Sequence, residues 1–162
     1  MYAGKTTHLF DLYAELGGLI LDYSETNCQT GTIINHDGRK NTCMSLSRLK
    51  DVVSIKHSTL YINEAQFFPD LLDFVKKWET EGKDIYLFGL DGDFQRNPMG
   101  QILQVIPLCD TVKKLTGKCS RCEEPSLFSK RITADLDPYL LDESAYIPLC
   151  RNCYLNYNGY NL

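Results

Sequence analysis

Leu9, Leu12, Tyr13 and Leu16 recur at three- and four-residue spacing and stop at Gly17-Gly18, which predicts a helix over residues 6–16. The apolar run Leu19-Ile-Leu-Asp-Tyr23 reads as a buried strand. Residues 24–58 mix Asn, Thr, Gly and Lys with scattered apolar positions, among which Leu46 to Val53 fits a short helix. Thr59-Leu-Tyr-Ile62 is β-prone and ends in the polar pair Asn63-Glu64, where a buried strand would leave the core. Pro69 suits a first helical turn, Leu71, Phe74, Val75 and Trp78 keep helical spacing, and Gly82 ends that run before the strand Ile85-Tyr-Leu-Phe-Gly-Leu90. Val112-Lys-Lys-Leu115 reads as a last strand. Alternating helix and strand predicts an α/β fold, a mainly parallel sheet covered by helices, with ligands at the C-terminal strand ends.

The pattern changes at Cys119. Four of the seven cysteines form the pairs Cys119/Cys122 and Cys150/Cys153, separated by 27 residues. Each Cys-x-x-Cys can place two thiolates on one tetrahedral ion, which points to structural Zn²⁺ in a small ribbon. Four thiolates leave no open position for water, so a catalytic zinc is disfavoured. The bland alternative is reduced cysteines or a redox dithiol, but a redox pair needs only one such motif. Cys28, Cys43 and Cys109 are expected to be free thiols, because an odd cysteine count favours a reducing compartment.

Charge narrows the partners. Seventeen Lys and Arg against 21 Asp and Glu give a net charge of −4, without the basic footprint of a general nucleic-acid binder. No apolar run approaches the roughly 18 residues of a membrane span, and nothing resembles a signal peptide, so the expectation is a cytoplasmic protein. A chain of 162 residues buries roughly 70% of its unfolded surface, enough for one core and a small appendage.

Gly4-Lys5-Thr6 opening a helix has the form of the end of a phosphate-binding loop: backbone N–H groups face an anion, Lys adds charge and a hydroxyl reaches Mg²⁺. A plain helix start would look the same. Glu64 after a buried strand is a candidate general base, although a surface glutamate is commoner. Asn63 stands where many nucleotide enzymes carry an acid, and an amide can only hydrogen-bond a water of the ion. Phe67, Phe68 and Phe94 flank the strand ends, where a flat base would need faces to stack on. His8, His36 and His57 share no ligand spacing and read as surface or packing residues.

Together, Ala3-Gly-Lys-Thr-Thr7, Asn63-Glu-Ala-Gln-Phe-Phe-Pro69, Leu90-Asp-Gly-Asp-Phe-Gln-Arg-Asn-Pro98, Val112-Lys-Lys-Leu115 and both cysteine pairs resemble the type II, zinc-containing thymidine kinases. The resemblance runs from Met1 to Cys153. It implies a P-loop-type α/β kinase domain over residues 1–118, a zinc ribbon with a thymidine-holding lasso over 119–153 and a flexible tail over 154–162. It implies transfer of the ATP γ-phosphoryl group to thymidine or deoxyuridine, with Mg²⁺, by a homotetramer. By position, Met1, Tyr2, Ala3, Gly4, Lys5, Thr6 and Thr7 would cradle the phosphates, with Thr6 on Mg²⁺. Glu64 would be the catalytic base, and Asn63 and Gln66 would sit beside the nucleotide. Phe94 would stack on the base, while Phe67, Leu90, Met99 and Tyr146 would shape its pocket. Phe128, Ser129, Asp137, Pro138, Tyr139, Leu140 and Leu141 would lie in the lasso, and Cys119, Cys122, Cys150 and Cys153 would hold zinc.

Four differences from that pattern stand out. The family's strand and Gly-Pro ahead of the loop would fall before Met1, which predicts a loosely held phosphate loop. Thr26-Asn-Cys28 replaces an Asp-x-Arg, Asn63 replaces an acid, and Leu141-Asp142 replaces a Gly-Gly. The alternatives to an active kinase are therefore a weakly active or inactive relative that binds nucleoside or nucleotide, and a zinc-ribbon interaction module.

Overall fold

The computed structural model describes residues 3–24, 31–134, 140 and 142–157. The chain divides into two compact units. One comprises Lys5–Asp91 and Met99–Val112; the other comprises Met1–Gly4, Gly92–Pro98 and Lys113–Leu162.

The first unit is built on four parallel strands, β1 (Leu19–Tyr23), β4 (Met44–Leu46), β5 (Thr59–Ile62) and β6 (Asp84–Leu87), in the order β4-β1-β5-β6. Ile20 pairs with Tyr61 and Leu21 with Ile62, so neighbouring strands present matching faces. Strand alternation then divides the core in two. Ile20 and Tyr61 pack with Leu9 and Phe10 of α1 (Lys5–Leu16). Leu21, Leu60 and Ile62 pack with Phe74, Val75 and Trp78 of α2 (Leu71–Thr80) on the opposite face. Gly18 permits this closeness, because a Cβ there would lie 2.5 Å from the Thr59 carbonyl oxygen. A short antiparallel hairpin, β2 (Thr32–Ile34) with β3 (Lys40–Thr42), completes the strands of this unit.

Several expectations change. Residues 46–53 are not an α-helix: Leu46 ends β4 and only Leu49–Asp51 makes a 3₁₀ turn, capped by Asp70, whose carboxylate accepts from the Leu49 and Lys50 N–H groups at 3.1 and 2.8 Å. The expected strand at 112–115 is irregular chain, with Val112 60% exposed. Its β-prone residues have no neighbouring strand among the described residues to satisfy their backbone groups, and propensity alone does not hold a strand. In α1, Phe10 is buried whereas Leu16 is 48% exposed, so the apolar stripe ends a turn earlier than its spacing suggested. Cys43 is disulfide-bonded rather than free.

The second unit holds two small antiparallel pairs, β7 (Gly117–Lys118) with β8 (Pro125–Ser126), and β9 (Phe128–Arg131) with β10 (Tyr146–Leu149). A helical turn, α3 (Arg151–Leu155), follows, and Leu149 is its buried centre with Cys119 and Cys150 around it. Tyr154 and Tyr157 pack on this cluster.

Candidate functional site

In the sheet unit the polar residues gather where β1 and β5 end, as the parallel topology predicts. Asp22 and Asn63 stand there side by side, 0% and 1% exposed. Asn63 Nδ2 donates to Asp22 Oδ1 at 2.7 Å, while the Asn63 N–H donates to the Leu21 carbonyl at 2.9 Å. Burial pushes the Asp22 carboxyl up to about 6; the Asn63 bond opposes this and the Glu64 charge adds to it. The sequence pattern does not single out Asp22, since an Asp near the end of an apolar strand ordinarily reaches water.

Glu64 follows in the left-handed region, with φ of 50° and ψ of 41°. A non-glycine residue held there carries strain of about 1–3 kcal/mol, a cost that clusters at functional positions. Its Oε2 accepts from Gln66 Nε2 at 2.7 Å. The buried Gln66 then uses Oε1 to accept from the Leu90 N–H at 3.0 Å, so one amide ties the turn after β5 to the segment after β6. Two glycines make room for it. A Cβ on Gly89 would lie 2.5 Å from Gln66 Oε1, and one on Gly100 would lie 2.0 Å from the Gln66 carbonyl oxygen. Phe67 stacks at a tilt on Tyr23, 5.3 Å between ring centroids, and Met99 is buried.

Lys5, Thr6 and Thr7 form the first turn of α1, and Gly4 precedes them with φ of 73°, a conformation that frees the turn to expose its N–H groups. The Thr7 hydroxyl is engaged locally, donating to Asp37 Oδ2 at 3.3 Å and accepting from Asn35 Nδ2 at 3.1 Å.

In the second unit Phe94 and Tyr146 lie 6.4 Å apart by ring centroid. Arg131, 4% exposed, places its guanidinium 4.1 Å from the Phe94 centroid and 5.0 Å from that of Tyr146, and its Nη2 donates to the Tyr146 hydroxyl. Nothing in the local sequence marks Arg131; its cation–π contacts form only when β9 pairs with β10, which sets Arg131 opposite Tyr146. Tyr154 donates its hydroxyl to the Phe94 carbonyl at 2.7 Å and packs on Phe128, 5.1 Å between centroids. Ser129 sits in β9 opposite Pro148. Asp142 accepts from the Ser144 N–H at 2.9 Å and hydroxyl at 2.7 Å. Leu140 is described as half-buried chain; Met1, Tyr2, Thr26, Cys28, Asp137, Pro138, Tyr139 and Leu141 lie outside the described residues.

The four thiols of Cys119, Cys122, Cys150 and Cys153 all lie within 4.8 Å of one another. Cys122 Sγ is 3.6 Å from the sulfurs of both Cys150 and Cys153. A tetrahedral zinc with bonds of about 2.3 Å requires sulfur separations of about 3.8 Å, so these side chains fit the ion. Hydrogen bonding with Cys122 and Cys150 pushes the Cys153 thiol up to about 12.

A parallel sheet with its polar residues at the strand ends, joined in one chain to a four-cysteine centre of zinc geometry, defines an α/β protein with an attached zinc-type module. Comparison with known proteins names the family. The thymidine kinase family model matches residues 1–154. A thymidine kinase of Oryza sativa subsp. japonica is 36% identical over 172 residues, covering 96% of this chain and 64% of the rice protein. Thymidine kinases of Monkeypox virus and Variola virus are 32% and 33% identical over 164 residues, each covering 96% of this chain and 93% of the viral protein. The chain spans 64% of the rice protein's length. It belongs to the thymidine kinase family. Among the described residues no helix is long and apolar enough to cross a membrane.

Proposed function

We propose that this chain transfers the γ-phosphoryl group of ATP to the 5′-hydroxyl of thymidine or deoxyuridine, giving the nucleoside monophosphate and ADP, in the salvage of pyrimidine deoxynucleosides. The observation that carries the reading is Glu64, a carboxylate fixed in a strained turn at a strand end and aimed by Gln66. Its carboxylate takes the proton of the 5′-hydroxyl as that oxygen bonds to the γ-phosphorus, and the bond from phosphorus to the β,γ-bridging oxygen breaks as ADP leaves. Gln66 holds the carboxylate in place, and Asn63, bonded to Asp22, anchors the start of the turn. Gly4, Lys5, Thr6 and Thr7 receive the phosphates at the start of α1, with Met1, Tyr2 and Ala3 leading into that turn, and Thr6 would hold the Mg²⁺ that neutralises their charge. In the second unit Phe94 and Tyr146 contact the pyrimidine, with Phe128, Ser129, Asp137, Pro138, Tyr139, Leu140 and Leu141 in the lasso; Phe67, Leu90 and Met99 are the nucleoside contacts assigned to the first unit.

The zinc would hold β7–β8 against α3 and supply rigidity rather than chemistry. We extend the proposal to a cytoplasmic homotetramer, the form that the family resemblance implies. The test is turnover of ATP and thymidine by the purified chain and by Glu64→Gln, which keeps the side chain's size. The variant should lose at least about 10², the contribution of general-base catalysis, while still binding thymidine. An unchanged rate would show that another group takes the proton. Thymidine binding without turnover in the unaltered chain would favour the inactive-relative reading.

A further inference from the structure

Two buried side-chain atoms at the end of β1 and β5 have no hydrogen-bond partner, and both are acceptors: Asp22 Oδ2 and Asn63 Oδ1. They belong to the two groups already joined by the 2.7 Å bond from Asn63 Nδ2 to Asp22 Oδ1. One proton satisfies both. A carboxylic acid facing a primary amide forms a ring of two hydrogen bonds, N–H to one carboxyl oxygen and O–H to the amide oxygen, and every polar atom of the pair is then used.

We propose that Asp22 is a positioning residue for Glu64: it is held as a neutral acid that donates from Oδ2 to Asn63 Oδ1, closing an acid–amide ring beside the left-handed turn. The ring fixes Asn63, and through it the start of the turn that carries Glu64. It also keeps a second negative charge away from Glu64.

The balance of effects favours the proton. Burial has already brought Asp22 to about 6, so protonation at pH 7 is about tenfold uphill before the second bond is counted. Each buried orphan acceptor disfavours the folded state by roughly five- to a hundredfold, and the ring removes two of them. Among the described residues no cation acts on Asp22. Strand β4 places Ser45 opposite Asp22, β5 contributes Ile62 and Asn63, the 3₁₀ turn Ala65–Phe67 contributes Gln66, and the charge acting on Asp22 is that of Glu64, which opposes its ionisation. The Asn63→Asp replacement, which would restore an acid before Glu64, therefore sets two carboxyls face to face at one buried place.

The inference rests on Glu64 as the base, but its test does not depend on turnover. Infrared difference spectra of the full chain at pH 7 should contain a protonated-carboxyl band that persists in Glu64→Gln and vanishes in Asp22→Asn. Asp22→Asn mimics the neutral acid, keeping one donor and one acceptor, whereas Asp22→Ala strands Asn63. Because the folded Asp22 takes up its proton more readily than the unfolded one, its stabilisation is complete below about pH 4 and declines as the pH rises through the folded value. Unfolding of the wild type should show that decline, and Asp22→Asn should not. In turnover, the alkaline fall assigned to opening of the ring should disappear in Asp22→Asn, while Asp22→Ala should lower kcat more than it changes KM. Absence of the band from the wild type, or an Asp22→Asn protein as unstable as Asp22→Ala, would overturn the proposal. Undiminished turnover in Glu64→Gln with the band intact would instead remove only the base assignment.

Discussion

Gly100 offers the sharpest test of how the Glu64 turn is built. Its φ of 52° is left-handed, and a Cβ there would stand 2.0 Å from the Gln66 carbonyl oxygen and 2.9 Å from the Gln66 carbonyl carbon. Alanine at this position carries about 1–2 kcal/mol of backbone strain. The contact is backbone, so it cannot be relieved by swinging a side chain. The chain at Gln66 has to retreat by about 1.5 Å to reach ordinary contact distance. That retreat pulls on the 2.7 Å bond to Glu64 and the 3.0 Å bond from Leu90, each worth about 1 kcal/mol. The expected total for Gly100→Ala is about 3–4 kcal/mol of stability. Gly82 is the matched control: its φ is 69° and a Cβ there would meet nothing within 4 Å, so Gly82→Ala should lose only the strain of about 1–2 kcal/mol. Urea unfolding of both variants gives the difference directly. Turnover should separate them further, since a displacement of about 1 Å at a positioned carboxylate can reduce rate about 10²-fold. Equal losses in the two variants would refute the claim that Gly100 exists to seat Gln66.

Metal analysis of the purified chain should give one zinc per chain, and chelation should abolish thymidine binding, because four clustered thiols and a core as small as Leu149, Cys119 and Cys150 hold little by themselves; full binding after complete chelation would oppose this. Replacing Arg131 by Lys removes the planar cation lying 4.1 Å from the Phe94 centroid, and titration calorimetry should find thymidine affinity reduced roughly tenfold, about 1–2 kcal/mol of partly buried cation–π contact. An unchanged affinity would show that the guanidinium only packs.

The sequence by itself determined the periodic elements and the meeting of the two cysteine pairs. Leu19–Tyr23 and Thr59–Ile62 are strands where their apolar runs lie, α1 and α2 follow their helical spacing, and the cysteine pairs meet, because each of these depends on contacts within one element or on a strongly constrained ligand set. The motif carrying Asn63, Glu64 and Gln66 was likewise legible, although the left-handed turn at Glu64 was not. Tertiary structure decided the rest. The segment 112–115 has the composition of a strand and lacks a neighbour to pair with among the described residues. Asp22 lies in a run that reads as a buried strand, but its pairing with Asn63 exists only once β4 and β5 close on either side. Arg131 carries no local signal, and strand pairing lays it beside Tyr146 and Phe94. Gly100 carries no sequence signal, and its role appears only where Gln66 is packed against it. Local pattern reports what a residue contributes to its own helix or strand; burial, charge state and contact across the fold come from residues distant in the chain, and only folding brings those together.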